Sequence, residues 1–178
     1  MKCVLGVLKS PEGLLIREEM LEWLSPLYEV IEVCQDVPGA LFEYPALALA
    51  FEIASKTDRP VLYLHTKGAA FPTEVQGEIR AMWKNELGIP ERAAKYVELA
   101  DVPMPRLSTP IMSPNKDTWF NAFFVNAAAG RILRDTVKPS EIRHVFEFVA
   151  RDTPVDVVSP FEPCDGVPIF TLMRRLAK

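Results

Sequence analysis

The sequence has few of the residues on which disulfide-rich and zinc-binding proteins depend. It contains three cysteines and two histidines among 178 residues. Cys3, Cys34 and Cys164 do not have the spacing of a metal site, and two of them lie in strand-like runs, where cysteine packs as a small apolar residue. We therefore expect neither a disulfide framework nor a zinc site.

Long apolar runs and basic runs are also absent. The apolar stretch after Met1 is shorter than the core of a signal peptide, and no later stretch approaches the length of a membrane span. The formal net charge is −4, and neither end carries a basic run. This balance argues against nucleic acid or an anionic membrane as the main partner. We expect a cytoplasmic protein without a membrane span.

Strand-like and helix-like segments alternate through the first third of the chain. Strands are predicted over Val4–Leu8, Glu29–Cys34 and Val61–Leu64, and helices are predicted to begin at Pro11 and Tyr44. This β-α-β-α-β order favours a parallel sheet with right-handed crossovers. We predict a single α/β domain over residues 1–178, with a mostly parallel, Rossmann-like sheet flanked by helices.

The remainder of the chain predicts shorter elements. Helices are expected over Thr73–Leu87 and Pro90–Ala100, and the proline-rich stretch 101–116 is expected to be an irregular surface loop. A strand is then predicted over Trp119–Val125, followed by a helix through Leu133, with one continuous helix as the alternative. A helix is predicted from Ser140 to Val149 and a strand over Val155–Val158, and the segment that begins at Val167 is strand-like at first.

Polar residues that can take part in binding or catalysis are concentrated directly after the third predicted strand. His65, Thr66, Lys67 and Gly68 follow this strand, and a helix is predicted to start at Thr73. The carboxyl ends of strands line the ligand crevice of an open α/β sheet. Lys67 suits phosphate oxygens, His65 can exchange a proton near neutrality, and Gly68 lets the backbone approach a ligand. The tetrad predicts an anion site, and its alternative is a hydrogen-bonded strand end with a solvated lysine.

Three segments together resemble a known family. They are Tyr63–Ala69, Arg80–Trp83 and Trp119–Phe124. They resemble a bacterial family of glycosyltransferase-like proteins associated with cell-surface polysaccharide clusters. Its members carry a Tyr-Leu-His-Thr-Lys-Gly block, a helix with a Trp-Arg and Met pattern, and later a Gly-Asn-Phe-Trp-Trp block. The resemblance implies a compact GT-A-like fold that uses a nucleotide-activated sugar.

The sequence departs from this family at two points. Phe120 stands where the family has the glycine that precedes Asn121, and Ala122–Phe124 replaces the aromatic block. The chain also lacks an Asp-x-Asp pair to hold manganese or magnesium against a diphosphate, so a divalent cation stays an open alternative without an assigned ligand. Positive charge on Lys67 and Arg80 would then stabilise the departing diphosphate.

Several further residues have an ordinary structural explanation beside the functional one. Asp36 follows the second strand and is either a ribose contact or a turn former. Asn121 is either a contact for sugar hydroxyls or a hydrogen-bonded core amide. Trp83 and Trp119 are either stacking platforms or core residues. Arg80 lies on the polar side of its helix and is a secondary ligand contact in this hypothesis.

The leading hypothesis is a glycosyltransferase-like protein that binds a nucleotide sugar and transfers to a glycan or lipid-linked acceptor. His65 would contact the diphosphate or sugar, Lys67 would contact the phosphate, and Thr66 and Gly68 would shape the loop. The alternative is a non-catalytic binding domain that retains the scaffold. A small phosphoesterase or hydrolase is a third class, and it requires an acid within hydrogen-bond reach of His65.

Overall fold

The computed structural model describes residues 1–36, 43–67, 73–140, 146, 148–164 and 167–178. Within these residues a central sheet is flanked by helices. The strands are β1 (Lys2–Leu8), β2 (Glu29–Gln35), β3 (Val61–His65), β4 (Arg106–Ser108), β5 (Phe123–Val125) and β6 (Asp156–Val158). The helices are α1 (Pro11–Leu24), α2 (Tyr44–Ser55), α3 (Glu74–Leu87), α4 (Pro90–Ala100), α5 (Ala127–Thr136) and α6 (Val167–Leu176), with a 3₁₀ turn at Trp119–Asn121.

The strands form one mixed sheet with the order β2-β1-β3-β5-β4-β6. The β1–β2, β1–β3 and β4–β6 pairs are parallel, whereas β5 runs antiparallel to both of its neighbours. Five strands therefore share one direction and β5 alone is reversed within this sheet. The predicted α/β class with a mostly parallel sheet is confirmed.

Apolar side chains of the strands alternate between the two faces of the sheet because successive residues of a strand point to opposite sides. On β3, Leu62 and Leu64 pack in the core on one face, and Val61 and Tyr63 pack in the core on the other. Both faces are covered, which explains why the central strands read as continuous apolar runs. No helix in the described part of the chain combines the length and apolar character needed to cross a bilayer.

Local capping fixes the predicted helix ends. The Ser10 hydroxyl accepts from Gly13 N at 3.0 Å and Pro11 begins α1, while the Thr73 hydroxyl accepts from Gln76 N at 3.3 Å at the start of α3. Helix α3 ends at Gly88, as the sequence predicts.

Three later predictions are wrong at least in part. The stretch 101–116 contains β4, which pairs with β6 at all three residues and with β5 at Leu107 and Ser108. Only Phe123–Val125 of the predicted strand 119–125 is a strand. The carboxyl end is helix α6 rather than a strand, and Ile169, Met173 and Leu176 are buried at helical spacing. The helix predicted from Ser140 falls largely outside the described residues.

One buried side chain, Asn126, organises the chain between α4 and α5. Its Oδ1 accepts from Arg106 N at 3.2 Å and from Ala129 N at 2.9 Å, so the same atom holds β4 and caps α5. Its Nδ2 lies 2.8–3.0 Å from three carbonyl oxygens, those of Ala100, Val102 and Met104. This amide satisfies backbone groups that no regular element pairs.

We predict that Asn126→Ala lowers the free energy of unfolding by about 2–4 kcal/mol, since it removes a helix cap and leaves several buried backbone groups without a partner. Asn126→Asp keeps the acceptor and loses the donors, so it should also destabilise the protein. Urea unfolding followed by circular dichroism measures both. Asn85→Ala is the control, because within the described residues Asn85 makes one side-chain hydrogen bond, to Leu176 O at 3.2 Å, and its loss should cost about 1 kcal/mol. Equal losses at the two positions would contradict this role of Asn126.

Candidate functional site

The carboxyl ends of β1 and β3 lie side by side at one edge of the sheet. Thr66 N donates to Gly6 O at 2.9 Å, and the Thr66 hydroxyl accepts from Leu8 N at 3.1 Å. Thr66 is buried, with 5% of its surface exposed. Its side chain therefore ties the end of β3 to the end of β1 and fixes where His65 and Lys67 emerge.

Side chains from two other segments contact a single carboxylate oxygen at this edge. Glu43 directly precedes α2, and its Oε2 accepts from Asn121 Nδ2 at 2.8 Å and from the Tyr63 hydroxyl at 3.2 Å. His65 Nδ1 lies 3.4 Å from the same atom. The Glu43 carboxylate therefore joins the start of α2, the end of β3 and the 119–121 turn. We call Glu43, Tyr63, His65 and Asn121 the carboxylate cluster.

Tyr63 is the fully buried member of the carboxylate cluster. Burial raises the pKa of Tyr63 well above its usual value, and the negative charge of Glu43 and the hydrogen bond to it raise this pKa further. The phenol therefore stays protonated and remains a donor to Glu43 at any physiological pH.

The His65 ring is held on two sides. Its Nδ1 faces Glu43, and its ring lies 5.8 Å from the Trp83 ring at an interplanar angle of 77°, an edge contact. The 3.4 Å separation is longer than a usual N–H···O hydrogen bond, so the contact is an electrostatic one between the ring and the carboxylate. A neutral imidazole that shortened this contact would carry its proton on Nδ1 and its lone pair on Nε2, which is the tautomer of a general base.

Asn121 is the amide of the carboxylate cluster and is also buried, with 1% of its surface exposed. The contact with Glu43 fixes the amide orientation, because only the NH₂ group donates to a carboxylate. Its Oδ1 is buried and has no hydrogen-bond partner among the described residues. Buried acceptors are normally satisfied, so this atom points to a ligand or water that donates to it.

Lys67 follows His65 of the carboxylate cluster by two residues and contacts Phe120 and Arg80. Its Nζ lies 5.8 Å from the centroid of the Phe120 ring, and its carbonyl oxygen accepts from Arg80 Nη1 at 2.8 Å. Arg80 also approaches Glu19 Oε2 at 3.4 Å. The guanidinium of Arg80 thus braces the backbone at Lys67, and the Phe120 ring contacts the Lys67 ammonium.

The other residues that the sequence predicts at the site do not belong to the carboxylate cluster. Asp36 follows β2, its side chain is 90% exposed and it pairs with Lys9 at 3.2 Å. Strand β1 separates β2 from β3 in the sheet. Gly68 lies outside the described residues. Phe123 and Phe124 are fully buried on opposite faces of the sheet, and the Phe123 ring lies 5.3 Å from the Tyr63 ring.

Sequence reasoning missed Glu43 and Tyr63. An acid before a proline-led helix is an ordinary helix start, and a tyrosine in an apolar strand is an ordinary core residue. Nothing local marks the two as partners of residue 121. Within the described residues, the structure contains no group of three or more histidine, cysteine or acidic side chains that could hold a metal ion.

We predict that Glu43 and Asn121 are energetically coupled. Glu43→Gln and Asn121→Asp should each lower the free energy of unfolding by about 2–3 kcal/mol, since the first removes a charged acceptor and the second places two carboxylates in contact. The double variant should recover at least about 1 kcal/mol, because the amide introduced at position 43 can donate to the carboxylate introduced at position 121.

Urea unfolding at pH 7 gives the four values of this cycle. Glu91→Gln, an exposed acid on α4, is the matched control for loss of one negative charge. Additive losses in the double variant would contradict the coupling.

Comparisons of the chain with protein-family models, with curated protein sequences and with solved structures find no match. The side chains at the carboxyl end of β3 are therefore the basis on which a function is inferred.

Proposed function

We propose that the protein binds a nucleotide-activated sugar at the carboxyl end of β3 and acts as a glycosyltransferase-like enzyme. The observation that carries this proposal is the convergence of His65 and Asn121 on Glu43, directly beside Lys67. A nucleotide sugar has an anionic diphosphate next to a ring rich in hydroxyl groups. The site offers a matching group for each.

The phosphate end of the ligand is matched by Lys67. An ammonium is a compact point charge that suits phosphate oxygens, and the Phe120 ring and the Arg80 brace restrict where it lies. A positioned cation stabilises the negative charge that develops on a leaving diphosphate. Lys67 is thus the phosphate contact, and Arg80 supports it.

The sugar end of the ligand is matched by Asn121. Its buried Oδ1 has no donor among the described residues, and a sugar hydroxyl supplies one. Polar atoms next to aromatic rings are typical of carbohydrate pockets. Trp83 lies against His65, and its indole Nε1 is likewise buried without a partner in the described structure.

The backbone of the 119–121 turn supports the family resemblance. Phe120 has φ of 67° and Asn121 has φ of 52°, in the left-handed region that glycine adopts at least cost. Glycine is the residue that the resembled family has at the position of Phe120. The turn therefore keeps a glycine-like conformation with a larger residue in it.

The proposed acceptor is a glycan or lipid-linked sugar, and the proposed compartment is the cytoplasm. A non-catalytic domain that only binds the sugar nucleotide is the alternative within the same scaffold. A hydrolase of phosphate esters is the second candidate, and the contact between Glu43 and His65 favours it, because that class needs an acid beside the histidine.

The test is thermal unfolding of the protein with a panel of nucleotide sugars and nucleoside diphosphates, with and without manganese. A ligand present at about 100 times its Kd stabilises the native state by about 2.7 kcal/mol and raises Tm. We expect at least one panel member to raise Tm. Lys67→Ala should weaken its binding about 10-fold to 100-fold, the worth of a charged hydrogen bond.

Lys95→Ala is the matched control, since Lys95 is an exposed lysine on α4. It should bind with the affinity of the wild type. An equal Tm shift in Lys67→Ala would place the ligand elsewhere, and no shift across the panel would contradict nucleotide-sugar binding. Cleavage of a phosphate monoester in the absence of any such shift would favour the hydrolase.

A further inference from the structure

We propose that Glu43 and His65 form a general base that removes the proton from the acceptor hydroxyl, with His65 as the catalytic residue and Glu43 as its positioning residue. This inference rests on the proposed function and adds the proton-transfer step to it. It assigns to the carboxylate cluster a chemical role that the binding of a donor does not require.

The geometry of the pair supports this role. Glu43 Oε2 lies 3.4 Å from His65 Nδ1, and the two side chains are 19% and 12% exposed. A carboxylate behind one ring nitrogen fixes the tautomer and stabilises the imidazolium that forms when the other nitrogen takes a proton. Such contacts are often long before substrate binds and tighten in the reacting complex.

Tyr63 and Asn121 donate to the carboxylate and hold it in place. Asn121 Nδ2 donates at 2.8 Å and the buried Tyr63 hydroxyl donates at 3.2 Å, both to the atom that faces His65. These hydrogen bonds restrict rotation of the Glu43 side chain. A histidine that merely satisfied a strand end would need a single acceptor and no such support.

The proposed sugar contact of Asn121 places a hydroxyl group of the bound ligand next to this pair. Its Oδ1 belongs to a residue that is 1% exposed and has no partner among the described residues, whereas the other end of the same amide contacts the Glu43 carboxylate. A hydroxyl that donates to this oxygen lies next to the Glu43–His65 pair.

The proposed step balances as a single displacement. The acceptor O–H bond breaks and its proton goes to His65 Nε2. The acceptor oxygen forms a bond to the anomeric carbon, and the bond from that carbon to the diphosphate oxygen breaks. The diphosphate leaves with the electron pair, beside Lys67. The resulting imidazolium pairs with Glu43 and later returns its proton to solvent. Water in place of a sugar acceptor gives donor hydrolysis by the same step.

The experiment compares the wild type with His65→Gln, Glu43→Gln and Glu43→Asp. Calorimetry gives the Kd of the nucleotide sugar that raises Tm most, and release of nucleoside diphosphate gives kcat, with water and simple glycosides as acceptors. We expect His65→Gln and Glu43→Gln to lower kcat at least about 100-fold, a factor well above any change in the donor Kd. Glu43→Asp should retain part of the activity, and Glu91→Gln is the charge control.

A second measurement tests the positioning role of Glu43 in the protein without any ligand. The nitrogen chemical shifts of the neutral imidazole report its tautomer, and His144→Gln assigns the signals because the chain has two histidines. We expect the proton of His65 on Nδ1 in the wild type and a mixture of tautomers in Glu43→Gln. A wild-type proton on Nε2 would overturn the proposal.

The outcomes separate this inference from the proposed function. A donor that binds and is turned over by Glu43→Gln at the wild-type rate overturns the base and leaves the binding proposal intact. A donor that binds to the wild type without any release of diphosphate does the same. Failure of every donor to bind overturns the proposed function, and the transfer step with it.

Discussion

The Glu43 carboxylate is the constraint on which the edge of the sheet depends. Its side chain is 19% exposed, and a charge so far removed from water costs several kcal/mol unless donors surround it. Those donors come from β3 and from the turn before β5. One carboxylate therefore holds three separate segments of chain together, and the site is assembled because the charge must be satisfied.

The reversed direction of β5 explains why Asn121 reaches this carboxylate. Tyr63 pairs with Phe123 in the antiparallel register of β3 and β5. A residue that precedes an antiparallel strand lies at the same edge as a residue that follows its neighbour. Asn121 and His65 therefore meet at one edge although 56 positions separate them in sequence. A wholly parallel sheet would place the start of β5 at the opposite edge.

Local chemistry decides which parts of the fold the sequence predicts. Ser10-Pro11 and the run Val61–Leu64 carry their own signals, because a cap and a buried apolar strand are short-range patterns. Strand β4 does not, because its three residues become a strand only through pairing with β5 and β6. The sequence predicts a strand at the start of helix α6, because the apolar residues there also fit a strand over a few positions.

The residues of the candidate site likewise differ in whether the local sequence predicts them. The sequence predicts His65, Lys67 and Asn121 from residue type and position. Glu43 carries no local signal, since its role arises from a contact with a residue 78 positions later. The sequence also predicts Arg80 as a ligand contact, and the structure places its guanidinium on the carbonyl of Lys67. Long-range contacts of this kind are fixed by the fold and not by spacing.

The location of the ligand is tested most directly by amide chemical shifts of ¹⁵N-labelled protein titrated with uridine diphosphate and guanosine diphosphate. Binding at the carboxyl end of β3 should move the signals of Thr66, Lys67 and the 119–121 turn. Shifts confined to Tyr28, Ala94 and Val97, which line a cavity of about 450 Å³ beside Met1, would contradict it. A spectrum that does not change with either diphosphate would contradict it as well.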